Sequence, residues 1–272
     1  MTARNLILTG LPRSGTTLVC ALVDSLRDAV CLSEPDWQDA WPREMDDRRA
    51  YAERVRGDFA RVRKMLAGGG EVADRRSSDG AAVTNYFPLA SDGSRQPAYA
   101  LQPFRRSGLS ADFLLGMKQN AHYSCVLDEF AGHDDFTVIA IVRHPLATLR
   151  SWRSAKHLPI SQGRLPAAER FWPELAAIAE STQDILLRQL QIYRVFCERY
   201  RALGARIHLL RYEDVVSDVN SIAAICGGRD YVRAVDIKQN PVIAGDEEAA
   251  EIVRKVREYC AVACELYPDL AR

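Results

Sequence analysis

The sequence has no surplus of charge. Its 36 Lys and Arg balance 36 Asp and Glu, which disfavours a chain-wide nucleic-acid binder, whose footprint is basic. No apolar run approaches the roughly 18 residues that mark a membrane-spanning helix. The opening MTARNLILTG has too short an apolar stretch for a secretory signal. Seven cysteines include no CxxC pair, so neither a zinc framework nor a disulfide scaffold is indicated, and a reducing, cytoplasmic setting is expected. Cys260 and Cys264, four apart in a helical pattern, read as two small buried side chains. His133, His144, His157 and His208 lack ligand spacing, so no metal is expected. No Gly-x-Ser-x-Gly marks a hydrolase elbow, and neither repeats nor low-complexity tracts occur.

What remains is an ordinary globular composition. With 47% hydrophobic and 26% charged residues over 272 positions, the chain suits one large domain, 1–272. Asn5 to Thr9, Ala29 to Ser33, Thr137 to Val142 and Arg206 to Leu210 are short apolar runs of strand type. Thr137 to Val142 is apolar throughout, as a parallel strand covered on both faces requires. Helical spacing fills Gly15–Arg27, Pro145–Ala155, Glu174–Leu203 and Glu247–Leu266. Strands alternating with helices predict an α/β fold of the P-loop, doubly wound type, mainly parallel, with helices on both faces. Residues 40–112 differ. Arg43 to Lys64 is a charged helix, and Asn85 to Leu101 suggests a hairpin around Asp92-Gly93. This stretch is read as an insertion over the substrate side, contributing to the pocket for the second substrate.

The first strand runs into Gly10 to Thr17, GLPRSGTT. Strand, glycine turn and helix start in that order form an anion site, where backbone N–H groups and the helix dipole meet a phosphate. The spacing matches G-x-x-x-x-G-K-[ST] except that Thr16 stands at the lysine position, while Arg13 sits inside the loop. A magnesium-binding acid is also missing, because Thr137 to Val142 leads into Arg143-His144-Pro145. From Phe136 to Ala168 there is no acid, but Arg143, Arg150, Arg153, Lys156 and Arg164 are present. Arg143 falls at a strand's C-terminal end, where open α/β sheets bind ligands. Ser151, two helical turns later, can share its face and complete a second anion site. Two anion sites without the loop lysine or a magnesium acid suggest a nucleotide with separated phosphates.

These residues resemble the sulfotransferase superfamily. Arg13-Ser14-Gly15-Thr16-Thr17 resembles its 5′-phosphosulfate loop, and Arg143-His144-Pro145 with Ser151 its 3′-phosphate motif. Leu210-Arg211-Tyr212-Glu213-Asp214 resembles a recurrent strand end. The resemblance implies 3′-phosphoadenosine 5′-phosphosulfate (PAPS) as donor, with Tyr212 near adenine. Arginine at position 13 is closer to carbohydrate, protein-tyrosine and some bacterial members than to cytosolic ones, which have lysine there. Leu18 stands where cytosolic members place a tryptophan against adenine.

Sulfuryl transfer to a hydroxyl needs charge stabilisation and a base. Glu34, after the strand Ala29–Ser33, resembles the glutamate base of some members. His122, 21 residues before Arg143, lies near the histidine of the cytosolic ones. Lys118 resembles family lysines that touch the bridging oxygen. The expected second substrate is a hydroxyl of a carbohydrate, glycolipid or small metabolite, with Arg43, Arg105, Arg106 and the segment Arg150–Arg164 near its pocket. The alternatives are a P-loop kinase or NTPase and a non-catalytic nucleotide-binding protein.

Overall fold

The computed structural model describes residues 4–38, 41–45, 47–88, 97–237 and 245–271, without the side chains of residues 42 and 43. Five strands form one all-parallel sheet: β1 (Asn5–Gly10), β2 (Ala29–Ser33), β5 (Leu114–Lys118), β6 (Phe136–Val142) and β7 (His208–Arg211), in the order β2-β5-β1-β6-β7. Strands β3 (Val72–Arg76) and β4 (Ala100–Phe104) pair antiparallel beside it.

Side-chain alternation along the strands divides the interior into two cores. Leu6, Leu8, Ile139 and Ile141 pack with the helix Thr16–Asp24 on one face. Ile7, Val138, Ala140 and Val142 pack on the other, against the helices Arg48–Ala67 and Ile185–Leu203. Both faces are thus covered, as the apolar strands require. Among the described residues no helix is long and apolar enough to cross a membrane.

Some elements differ from the sequence reading. The pattern Glu174–Leu203 is two helices, Pro173–Ser181 and Ile185–Leu203. Asp184 caps the second by accepting from Leu187 N, which outweighs the continuing apolar period. The last helix breaks at the buried Cys260 into Glu247–Tyr259 and Ala261–Leu266. The charged helix runs Arg48–Ala67, with Asp47 accepting from Ala50 N as its cap. It buries Tyr51, Val55, Phe59 and Val62 in the same core as Ile7, so much of 40–112 is a structural layer of the domain. The expected turn Asp92-Gly93 lies outside the described residues, and the strands that pair are β3 and β4.

Candidate active site

All five parallel strands end on one edge, and each delivers a residue to it. Glu34 follows β2, Lys118 ends β5, the loop with Arg13 follows β1, Arg143 follows β6 and Tyr212 follows β7. Register fixes the neighbours: Ser33 and Leu8 both lie opposite Lys118, and the Glu34 N–H donates to the Lys118 carbonyl at 2.9 Å.

The loop after β1 is tied down from behind. Leu11 N and Ser14 Oγ both donate to the Ile141 carbonyl, at 3.1 and 2.9 Å, and Trp152 Nε1 donates to the Pro12 carbonyl at 2.6 Å. The Ser14 side chain is fully buried in this role, so it pins the loop. Thr16 Oγ1 donates to Asn120 Oδ1 at 2.8 Å and is likewise committed. Gly15 caps the helix Thr16–Asp24 with φ 96° and no side-chain cap. The first-turn N–H groups have no intrahelical partner and carry the positive end of the helix dipole, next to the loop. Arg13 and Glu34 both have left-handed backbones, φ 66° and 51°. Residues with a Cβ seldom accept that conformation, which clusters at functional sites.

The two predicted anion sites touch. Arg13 Nε donates to Ser151 Oγ at 3.3 Å. The Arg143 guanidinium lies 4.6 Å over the Tyr212 ring, and its carbonyl accepts from Tyr193 OH at 2.8 Å and Thr148 Oγ1 at 3.2 Å.

Glu34 sits between two cations. Lys118 Nζ lies 2.5 Å from Oε1 and Arg75 NH1 2.8 Å from Oε2. Burial works to raise the Glu34 pKa, but the Lys118 and Arg75 charges outweigh it and hold the carboxyl below its usual range. Lys118, only 1% exposed, also reaches Thr17 Oγ1 at 3.2 Å. His122 stands near this carboxylate. Burial pushes its imidazole down to about 4, with Glu34 opposing only in part, and Nδ1 has no partner among the described residues.

Sequence reasoning missed Arg75, Asn120 and Tyr86. Arg75 comes from β3 and Tyr86 from the segment after it, and no local spacing links either to Glu34. Tyr86 places its ring 4.7 Å from Lys118 Nζ and donates to Ser33 Oγ at 2.6 Å. Tyr99 faces Arg75 at 5.7 Å and Phe87 faces Arg13 at 5.8 Å. An aromatic ring thus backs each cation of the site.

Other expected pocket residues are spent elsewhere. Arg106 donates to Asp24 Oδ2 at 2.9 Å and to the Ala29 carbonyl at 2.7 Å, a structural role. Arg105 pairs with Glu71, Arg150 with Asp246 and Glu248, Arg153 with Glu248, and Arg164 with Glu169. The acids that the local sequence lacks are therefore supplied mostly from the chain's C-terminal part. The side chain of Arg43 lies outside the described residues.

A family model described as "Sulfotransferase family" matches residues 5–227. Among solved structures, the chain is similar to a sulfotransferase from Alicyclobacillus acidocaldarius, at 12% identity over 100% of both chains with a TM-score of 0.48. It is also similar to sulfotransferase STF1 from Mycobacterium tuberculosis H37Rv, at 13% identity over 93% of this chain and 71% of that one, with a TM-score of 0.35. No curated protein matches.

Proposed function

Since the chain belongs to the sulfotransferase family, we propose that it transfers the sulfuryl group of PAPS to a hydroxyl of a carbohydrate, glycolipid or small metabolite. The observation that carries this reading is the bridge made by Lys118. One ammonium reaches both Thr17 of the anion loop, at 3.2 Å, and Glu34, at 2.5 Å. It joins a place for a departing phosphate to a carboxylate that can take a proton.

In the proposed step the substrate hydroxyl oxygen bonds to sulfur while the bond from sulfur to the 5′-phosphate oxygen breaks. The electron pair leaves with the phosphate, and the hydroxyl proton passes to Glu34. The phosphate is already stable as an anion, so cations serve it better than an acid. Arg13, Lys118, Thr17 and the N–H groups of Gly15, Thr16 and the first helical turn fill that role, with Ser14 fixing the loop. Arg143 and Ser151 take the 3′-phosphate by charge-assisted hydrogen bonds. Tyr212, between Gly15 and Arg143, holds the two anion sites in register and forms a wall near adenine.

One observation favours a second assignment of the base. The His122 imidazole is neutral above about pH 4 and has an unpartnered Nδ1, whereas Glu34 is held by two cations.

The test is transfer of labelled sulfuryl from PAPS to a panel of hydroxyl compounds, with 3′,5′-ADP binding measured without magnesium. Magnesium-dependent ATP binding and no affinity for 3′,5′-ADP would favour a kinase or NTPase. Tight 3′,5′-ADP binding with no transfer to any hydroxyl would favour a non-catalytic binder.

A further inference from the structure

We infer that Lys118 is a donor-operated latch on Glu34: without donor it closes the carboxylate, and a phosphosulfate at the anion loop draws it off. The inference rests on the PAPS reading above and adds an order of events to it.

The geometry has three parts. The Lys118 ammonium contacts two partners at once, Glu34 Oε1 at 2.5 Å and, more loosely, Thr17 Oγ1 at 3.2 Å. The Lys118 backbone is fixed, because the residue ends an interior strand and is 1% exposed, and the Tyr86 ring lies 4.7 Å from Nζ itself. Because the ammonium already touches the Thr17 side, it can turn off the carboxylate towards the anion loop by a small movement of the side-chain end, without shifting the backbone. Third, Glu34 does not depend on Lys118 for its aim. Arg75 NH1 holds the other oxygen at 2.8 Å, and the left-handed backbone at φ 51° fixes the residue.

Donor binding changes the balance. The loop then holds several anionic oxygens beside Thr17, where there was one neutral hydroxyl. Coulomb attraction grows with the partner's charge and is strong where water is excluded. The ammonium turns to the phosphosulfate, where its charge is needed as the S–O bond breaks. Oε1 is left open towards the substrate hydroxyl, while Arg75 keeps Oε2. The base becomes competent only when the donor is in place, so the hydroxyl substrate bound alone is not deprotonated. Arg75 is a positioning residue in this scheme.

Among the described residues, the charged or titratable groups facing Glu34 are Lys118 from β5, Arg75 from β3, His122 from the helix Ala121–Cys125 and Tyr86 from the segment after β3, and all four enter the test. The experiment is carbon NMR titration of labelled glutamate carboxyls in the full chain, with Glu34 assigned through Glu34→Gln. It is run with and without 3′,5′-ADP, whose occupancy is checked by calorimetry. The expected result is a Glu34 titration that moves to higher pH when the nucleotide binds. In Lys118→Met and Lys118→Gln, Glu34 should already titrate at higher pH without ligand, and the nucleotide should add only a fraction of the wild-type movement. A wild-type titration that stays put while 3′,5′-ADP binds would overturn the latch and leave the donor assignment standing. So would a full-sized movement in either Lys118 variant, since the ligand's charge would then act through space. No binding of 3′,5′-ADP would remove the donor assignment and the latch together.

Discussion

The ring of Tyr212 occupies the place where residue 15 would carry a side chain: a Cβ built on Gly15 falls 2.2 Å from Tyr212 Cδ2. The other face of that relationship is Arg143, 4.6 Å over the same ring. The anion loop, the β7 end and the β6 end are therefore one packed unit.

Gly15→Ala is expected to damage this unit twice. The methyl group collides with the ring, and alanine must adopt φ 96°, in a region that costs side-chain-bearing residues about 1–3 kcal/mol. The expected outcome is a lower melting temperature and 3′,5′-ADP affinity reduced by at least about tenfold. Calorimetry and thermal unfolding of the same preparation check it. Wild-type affinity would mean that the loop can move off Tyr212 at no loss to binding.

Arg13→Ala is expected to lower transfer by orders of magnitude with the fold intact, since the guanidinium reaches outward from the loop to Ser151. Arg143→Ala and Ser151→Ala should weaken 3′,5′-ADP more than a nucleotide lacking the 3′-phosphate. A charge-assisted hydrogen bond contributes about 1.5–3 kcal/mol, or roughly one to two orders of magnitude in affinity. Because Arg13 Nε and Ser151 Oγ are 3.3 Å apart, Ser151→Ala should also lower turnover. A double-mutant cycle should give non-additive losses, as residues in contact do. Additive losses would show that the Arg13–Ser151 contact does not matter to the reaction.

Asp24 is a structural charge and gives a contrasting prediction. Burial would raise its pKa, but Arg76 and Arg106 outweigh this and keep it ionised. Arg76 NH1 is 3.1 Å away, and both side chains are almost fully buried. Asp24→Asn removes the acid paired with Arg106 and one of the two acids paired with the buried Arg76, which keeps Asp74 at 2.9 Å; breaking a buried pair typically costs about 3–5 kcal/mol. Breaking the exposed Arg105–Glu71 pair by Arg105→Ala should cost about 0–1 kcal/mol. Urea denaturation distinguishes them, and equal losses would refute the burial argument.

The strand ends were legible because each motif is local. Arg13 lies within six residues of β1, Arg143 follows β6 directly, and Lys118 is the last residue of β5. What was illegible depends on distance along the chain. Arg75 meets Glu34 across 41 residues. Arg150 loses its apparent freedom to Asp246, 96 residues on. The break before Ile185 was hidden because apolar periodicity continues through it, although Asp184 is a cap of ordinary type.

The identity of the base can be settled with two variants, because the candidates differ in charge and surroundings. Glu34→Gln keeps the size and one oxygen for Lys118 or Arg75, but cannot take a proton at neutral pH. Loss of a general base typically costs about 10²–10⁴-fold, so kcat should fall by that much while 3′,5′-ADP affinity changes little. His122→Ala should retain most activity if Glu34 is the base. Stability supplies an independent check on His122. Its folded pKa, about 4, is below the unfolded value of about 6.5, so between these values the unfolded chain binds more protons. The His122 contribution to wild-type stability should therefore fall as pH drops through that window, by roughly 3 kcal/mol, and be fully lost below it. His122→Ala should flatten this part of the curve. If Glu34→Gln is fully active and His122→Ala is dead, the imidazole is the base and the carboxylate only anchors the two cations. If both variants turn over normally with a good hydroxyl substrate, the proton leaves by another route, and the carboxylate between Lys118 and Arg75 must be explained by charge balance alone.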